Sequence, residues 1–244
     1  MNARSQTFEL TIEGHQIDEV VSSIFHTILF HRSYGKFDYK QNEENKYSVG
    51  TLGYNDVDCN FIDFTYVCCS SADLNQTVRK HVNQFSNILR NTQDSNVSPN
   101  PTSGQISLEF FKKNKKHWPF NEICIPWELW NVRLELIKLN NEQERRLSCE
   151  KIVNVLTQQV IYICDVMNRN DYVPNIPIKS ELDLIFDTSY RDIQPYLFKI
   201  HFLNSSQYNL VDEACPGVSN PAGHTASSSV AHFVKKTIKD TLLF

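Results

Sequence analysis

Three stretches of the chain repeat apolar residues at the spacing of a helix that is apolar on one side. The first two predict helices over about residues 17–29 and 74–89. The third predicts a longer helix from about Glu142 to Asn168, with prolines beyond its end. We therefore expect three main helices.

Other stretches alternate apolar and polar residues, or are rich in β-branched and aromatic residues, as β-strands are. Predicted strands cover residues 8–12, 47–52, 57–67, 106–110, 132–136 and 196–203. Strands and helices mix without a regular βαβ repeat, which favours the α+β class.

Two polar segments interrupt this pattern. Residues 91–104 contain Pro99 and Pro101, and residues 205–229 are rich in Ser, Asn, Gly and Pro. Such segments predict flexible loops. Because no composition shift marks a second domain, we expect residues 1–244 to form a single domain.

Composition excludes several classes of function. The chain has 244 residues and a formal net charge of -4, so no strong positive field favours nucleic acid. Its seven cysteines are scattered without zinc-ligand spacing, and no signal peptide or membrane-spanning run is recognisable. We expect a cytosolic protein with no metal and no cofactor.

The sequence predicts no catalytic site. It contains no phosphate-binding glycine motif, metalloprotease motif or nucleophile elbow. Asp56, Asp58 and Asp63 could suggest a carboxylate site, but aspartates at turns and strand edges are far commoner. We interpret His26 and His31 as packed or surface residues. We expect that the protein is not an enzyme.

One candidate binding feature is a basic and aromatic segment. Four lysines, which favour a loop near solvent, precede two aromatic residues and a proline that an interior strand would not accommodate. The aromatic residues either contact a partner or fold back onto the core, and the lysines either bind an anion or are merely solvated. A peripheral membrane module is an alternative function for this segment. The residues are Lys112, Lys113, Lys115, Lys116, Trp118, Pro119 and Phe120.

The third predicted helix is apolar on two sides. The broad side is assigned to the sheet and contains Ile152, Val155, Leu156, Val160, Ile163 and Met167. A smaller patch on another side contains Val153, Thr157, Ile161 and Cys164. Such a helix is either deeply buried or has two partners. We interpret Trp127 and Trp130 as packing residues of the core or sheet.

Taken together, many short motifs resemble the autophagy-related protein 101 family. They are His31-Arg32, Gly35-Lys36-Phe37, Val57-Asp58-Cys59, Asp63 to Val67, Ser107 to Phe110, Trp118-Pro119-Phe120, Cys124 to Glu128, Val166 to Arg169, Phe186-Asp187-Thr188, Gln194 to Leu197 and Ile238 to Leu242. They occur along nearly the whole chain, so the resemblance is specific.

The resemblance implies a HORMA domain, in which three helices pack on an antiparallel sheet. It implies a non-catalytic adaptor in the Unc-51-like kinase complex that starts autophagosome formation, located in the cytoplasm and at the phagophore assembly site. Family members pair with and stabilise the HORMA domain of autophagy-related protein 13. Their exposed finger, which matches Trp118, Pro119 and Phe120 here, recruits downstream autophagy factors.

By the same resemblance, the pairing surface includes the third helix and its patch of Val153, Thr157, Ile161 and Cys164. The chain departs from the family in its two polar segments, 91–104 and 205–229, which look longer than usual. The second lies in the region that some HORMA proteins rearrange between open and closed states. We expect no such switching here.

Overall fold

A four-stranded mixed sheet forms the centre of the fold. The computed structural model describes residues 3–40, 46–94, 101–114, 123–169 and 172–204. The strands of this sheet, in their spatial order, are β1 (Arg4–Glu13), β8 (Ile123–Ile137), β7 (Thr102–Asn114) and β10 (Phe198–Asn204). β7 runs antiparallel to both of its neighbours, whereas β1 runs parallel to β8.

The parallel pair corrects the expectation of an antiparallel sheet. The residues between β1 and β8 include two helices and several strands, so the chain returns beside β1 by a long crossover, not by a hairpin. Alternation of apolar residues predicts which face of a strand is buried. It does not predict the direction in which two strands pair, which explains the error.

The three predicted helices are confirmed. They are α1 (Ile17–His31), α2 (Ala72–Asp94) and α3 (Glu142–Met167). α1 packs between the other two, while α2 contacts β7 and β10 and α3 contacts β1. None of the helices among the described residues is long and apolar enough to cross a membrane.

The core lies between the helices and one face of the sheet. Because alternate residues of a strand point to opposite faces, β8 contributes Trp130, Val132 and Leu134 to this core. On the far face Arg133 and Glu135 are exposed, whereas Asn131 is buried. The predicted packing of Trp130 in the core is confirmed.

Three small two-stranded sheets and two short 3₁₀ helices, Gly14–Gln16 and Lys179–Leu184, accompany the main sheet and the three α-helices. The small sheets pair β2 (Ser33–Gly35) with β9 (Ile193–Pro195), β3 (Phe37–Tyr39) with β4 (Tyr47–Val49), and β5 (Tyr54–Asp58) with β6 (Thr65–Cys69).

The prediction of one strand from Val57 to Val67 is wrong, because β5 and β6 form a hairpin across it. The turn between them is held by Glu19 of α1, whose carboxylate accepts hydrogen bonds from the backbone N–H groups of Asn60 at 2.6 Å and Phe61 at 2.9 Å. A contact between residues so far apart in the chain leaves no local signal.

The predicted loop at 91–104 is shorter than expected. α2 continues to Asp94 and β7 begins at Thr102, so both ends of the segment are regular. Residues 95–100 and the predicted loop at 205–229 lie outside the described residues.

Candidate functional site

β7 and β8 continue beyond both of their neighbours in the sheet. The pairing of β10 with β7 ends at Phe110, and the pairing of β1 with β8 ends at Glu128. Beyond these points, among the described residues, Phe111–Asn114 forms a ladder with Ile123–Pro126 alone, apart from one hydrogen bond that the N–H of Phe111 donates to the carbonyl of Leu197 at 3.0 Å. This two-stranded ribbon is about 13 Å long at the usual rise of about 3.3 Å per residue.

The ribbon leads directly to the predicted finger. Residues 115–122 connect its two strands, so Trp118, Pro119, Phe120, Lys115 and Lys116 lie outside the described residues. Lys112 and Lys113 are half-buried on the ribbon itself. Because they are consecutive strand residues, they point to opposite faces and do not form one basic surface.

A β-bulge lies at the base of the ribbon. Phe110 pairs with Glu128 and Phe111 pairs with Pro126, so Trp127 is the extra residue on β8. Trp127 is buried, as predicted, and its ring lies 5.5 Å from Phe110 and 5.3 Å from Tyr196 between centroids. A bulge bends its strand and increases the local twist, so Trp127 fixes the direction in which the ribbon leaves the core.

A buried ion pair also lies at the base of the ribbon. Arg32 at the end of α1 donates two hydrogen bonds to the carboxylate of Glu128, at 2.7 and 3.0 Å, and the side chains are 3% and 1% exposed. The hydroxyl of Tyr172 accepts a bond from Arg32 at 3.1 Å and donates one to Glu128 at 2.7 Å. Burial opposes the charge on Arg32, but the hydrogen bonds and charge of Glu128 outweigh it and raise the pKa of Arg32.

The second candidate surface lies on α3. Its buried side contains Ile152, Leu156, Ile163 and Met167, as predicted, together with Val166. Val155 and Val160, for which the apolar spacing predicts the same side, are half-buried.

The smaller patch on α3 is not deeply buried. Ile161 is 64% exposed, Thr157 is exposed, and Val153 and Cys164 are half-buried. The alternative of a helix buried on both sides is therefore wrong.

The patch continues from α3 across α1 to the hairpin. Cys164 Sγ lies 3.5 Å from His31 Nε2, and the ring of His31 contacts that of Phe30. Phe30 meets Tyr54 of β5 edge-on, with ring centroids 6.4 Å apart, and Tyr54 is 62% exposed. We call this the α3–hairpin surface; it comprises Thr157, Ile161, Cys164, His31, Phe30 and Tyr54.

The sequence did not indicate the part of this surface that lies outside α3. Tyr54 precedes the strand that was predicted at 57–67, and His31 was interpreted only as a packed or surface residue. A turn at Asn60 and Phe61 implies a strand that begins near Tyr54. Which face of that strand is exposed depends on how the hairpin packs on α1, and the local sequence does not indicate this.

His26 holds the hairpin on α1. Its ring stacks on that of Tyr66 in β6, with centroids 5.7 Å apart. Burial, with a smaller effect of the positive charge of Arg79, lowers the pKa of His26 to about 4. The folded protein therefore holds this imidazole neutral.

The described residues include a cavity but no cluster of metal ligands. No group of three or more His, Cys, Asp or Glu side chains among them could hold a metal ion. A cavity of about 590 Å³ lies where α1 and α3 begin and α2 ends. Its cationic side chains are paired: Arg90 with Asp18, Lys138 with Asp94, and Arg145 with Glu13.

Known proteins resemble this chain along almost its whole length. The sequence model of the Autophagy-related protein 101 family matches residues 9–180. The Autophagy-related protein 101 of Xenopus tropicalis is 43% identical over 242 residues, which is 99% of each chain. The chain belongs to the autophagy-related protein 101 family. The family's name assigns it an autophagy-related role.

Two further members of the autophagy-related protein 101 family agree. The Homo sapiens protein is 48% identical over 202 residues, covering 83% of this chain and 89% of its own. The Arabidopsis thaliana protein is 30% identical over 192 residues, covering 70% of this chain and 79% of its own. Both the ribbon and α3 lie inside the segment that the family model matches.

Glu128→Ala should strongly destabilise the protein. The substitution leaves the Arg32 charge buried without its partner, which typically lowers the free energy of unfolding by about 3–5 kcal/mol. The control is Glu9→Ala, which breaks the exposed Glu9–Arg133 pair and should change stability by less than about 1 kcal/mol. Urea unfolding of both variants measures the difference. Equal effects would contradict the structural role of the buried pair.

Acid should weaken the fold through His26. In the unfolded chain this imidazole has its ordinary pKa of 6.5, so the unfolded state binds the proton first as pH falls. The contribution of His26 is constant above about pH 6.5, and about 3 kcal/mol of stability is lost by about pH 4.

His26→Gln removes the titrating group. The difference in unfolding free energy between the wild type and this variant should therefore vary between about pH 6.5 and 4, and be constant at higher pH. Denaturant titrations at several pH values measure it. A difference that does not depend on pH would show that His26 is not held neutral.

Proposed function

We propose that the protein is a non-catalytic adaptor subunit of the Unc-51-like kinase complex that starts autophagosome formation. Its fold would be a HORMA domain that pairs with the HORMA domain of autophagy-related protein 13 and stabilises it. Membership of the autophagy-related protein 101 family supports the proposal, as do three helices packed on one face of a sheet. The adaptor would work in the cytoplasm and at the phagophore assembly site.

The exposure of Ile161 carries the pairing part of the proposal. A β-branched apolar side chain that is 64% exposed in the middle of a long helix gains nothing from water. Tyr54 is nearly as exposed, and the contacts through Phe30 and His31 join the two residues into one surface. Contiguous apolar groups of this kind mark protein-binding surfaces, and tyrosine is a common anchor in them.

The ribbon carries the recruitment part. A two-stranded extension that is fixed at its base by Trp127 and Glu128 suits a segment that must reach a second partner. We propose that Trp118, Pro119 and Phe120 form this finger and recruit downstream autophagy factors. Trp and Phe suit the role because an aromatic side chain buries a large area with few rotatable bonds.

The membrane alternative gains less support. Binding to anionic lipid requires several lysines that face one membrane surface. Lys112 and Lys113 point to opposite faces of β7, so the described part of the segment does not provide such a surface.

Ile161→Asp should abolish or greatly weaken pairing. The change places a charge at the centre of the α3–hairpin surface, and we expect at least a tenfold rise in Kd for the HORMA domain of autophagy-related protein 13. Leu147→Asp is the control, because Leu147 is also an exposed apolar residue of α3 but lies outside this surface. Size-exclusion chromatography with light scattering compares the complexes. If both variants pair as the wild type does, α3 is not the pairing surface.

Trp118→Ala should abolish recruitment of downstream factors while the fold and the partner complex persist. Phe61→Ala is the control, because Phe61 is an exposed aromatic residue on the hairpin turn. Quantitative affinity capture from cell extract measures recruitment, and thermal unfolding measures the fold. Unfolding of the Trp118 variant would instead show that Trp118 packs in the core, and the finger hypothesis would fail.

A further inference from the structure

The β5–β6 hairpin carries negative charge that is not compensated. Asp56, Asp58 and Asp63 are all exposed, and none of them forms an ion pair with another described residue. The sequence contains no lysine or arginine between Lys46 and Arg79. The hairpin therefore presents carboxylates alone.

These carboxylates run beside the apolar patch of α3. Asp56 and Asp58 share a strand face with Tyr54, which reaches Cys164 at one end of the patch through Phe30 and His31. At the other end Asp63 and Val153 line one depression of about 400 Å³, in which the cation of Arg146 pairs with Glu150 of the same helix. The contacts at both ends therefore place the aspartates of the hairpin alongside the apolar patch of α3.

We infer that the partner covering the α3–hairpin surface is a protein that presents lysine or arginine side chains opposite Asp56 and Asp58. This inference rests on the proposed pairing function and adds the chemistry of the contacting face. A partner without cations would leave these carboxylates partly desolvated and uncompensated, which is unfavourable. Cations opposite them compensate the charge and accelerate the encounter.

The carboxylates of Asp56 and Asp58 also make a second copy of this chain an unfavourable partner for the α3–hairpin surface. A two-fold symmetric dimer places the same surface on both sides, so the carboxylates of one copy would face those of the other. Like charges across an interface oppose the wrong pairing. The surface therefore favours a heterologous partner over self-association.

The test is the association rate constant of the full chain with the HORMA domain of autophagy-related protein 13, measured by stopped flow from about 50 mM to about 500 mM NaCl. The variant is the double substitution Asp56→Lys and Asp58→Lys. The control is Glu135→Lys, which reverses the charge of one carboxylate on the exposed far face of the sheet. Circular dichroism and thermal unfolding check that all variants fold.

For the wild type we expect an association rate constant that falls as salt rises. The double variant should associate about tenfold more slowly at low salt and show a much flatter salt dependence, whereas Glu135→Lys should resemble the wild type. Normal pairing with rates unchanged in the double variant, or faster in it, overturns the inference and leaves the proposed function standing. Absence of any wild-type complex overturns both.

Discussion

The geometry of the described fold depends on the buried pair of Arg32 and Glu128. Arg32 directly follows the last residue of α1. Glu128 is the residue nearest the ribbon at which β8 still pairs with β1. Tyr172, from the segment after α3, completes the hydrogen bonds, and the backbone carbonyl of Arg32 accepts one from the N–H of Tyr196. One pair of charges thus joins the helical layer, the sheet and the chain that follows α3.

A buried pair of this kind contributes little net stability, because both charges lose their hydration. Here the pair fixes the position of β8 relative to α1. Arg32 can satisfy its fork-shaped guanidinium only if Glu128 and Tyr172 are both in place, so a shift of β8 against α1 would leave a charge unpaired. The bulge at Trp127 begins at the next residue, and the direction of the ribbon is therefore set by the same constraint.

The two proposed binding surfaces meet at consecutive residues. His31 contacts Cys164 in the α3–hairpin surface, while Arg32 contacts Glu128 at the base of the ribbon. Both lie at the end of one helix that has seven fully buried apolar residues, so neither can move far without the other. The α3–hairpin surface and the base of the ribbon are therefore joined through the end of α1.

Local patterns sufficed for the three helices and for the exposed patch on α3, but not for the contacts that join distant segments. The apolar spacing located all three helices and separated the two sides of α3, because burial of a helix follows its own period. The Arg32–Glu128 pair, the clamp of Glu19 on the hairpin turn and the parallel pairing of β1 with β8 each join residues distant in the chain. The local sequence around one residue of such a pair contains no signal that identifies the other residue.

The distribution of paired and unpaired charges separates the cavity from the hairpin. In the cavity where α1 begins, Arg90, Lys138 and Arg145 each contact a carboxylate of this chain, so their charges are neutralised. On the hairpin, Asp56 and Asp58 share a strand face with exposed Tyr54 and are compensated by no described residue. A surface with apolar groups and uncompensated charge gains more from a complementary partner than a cavity whose charges already neutralise one another, and this favours protein binding at the hairpin over ligand binding in the cavity.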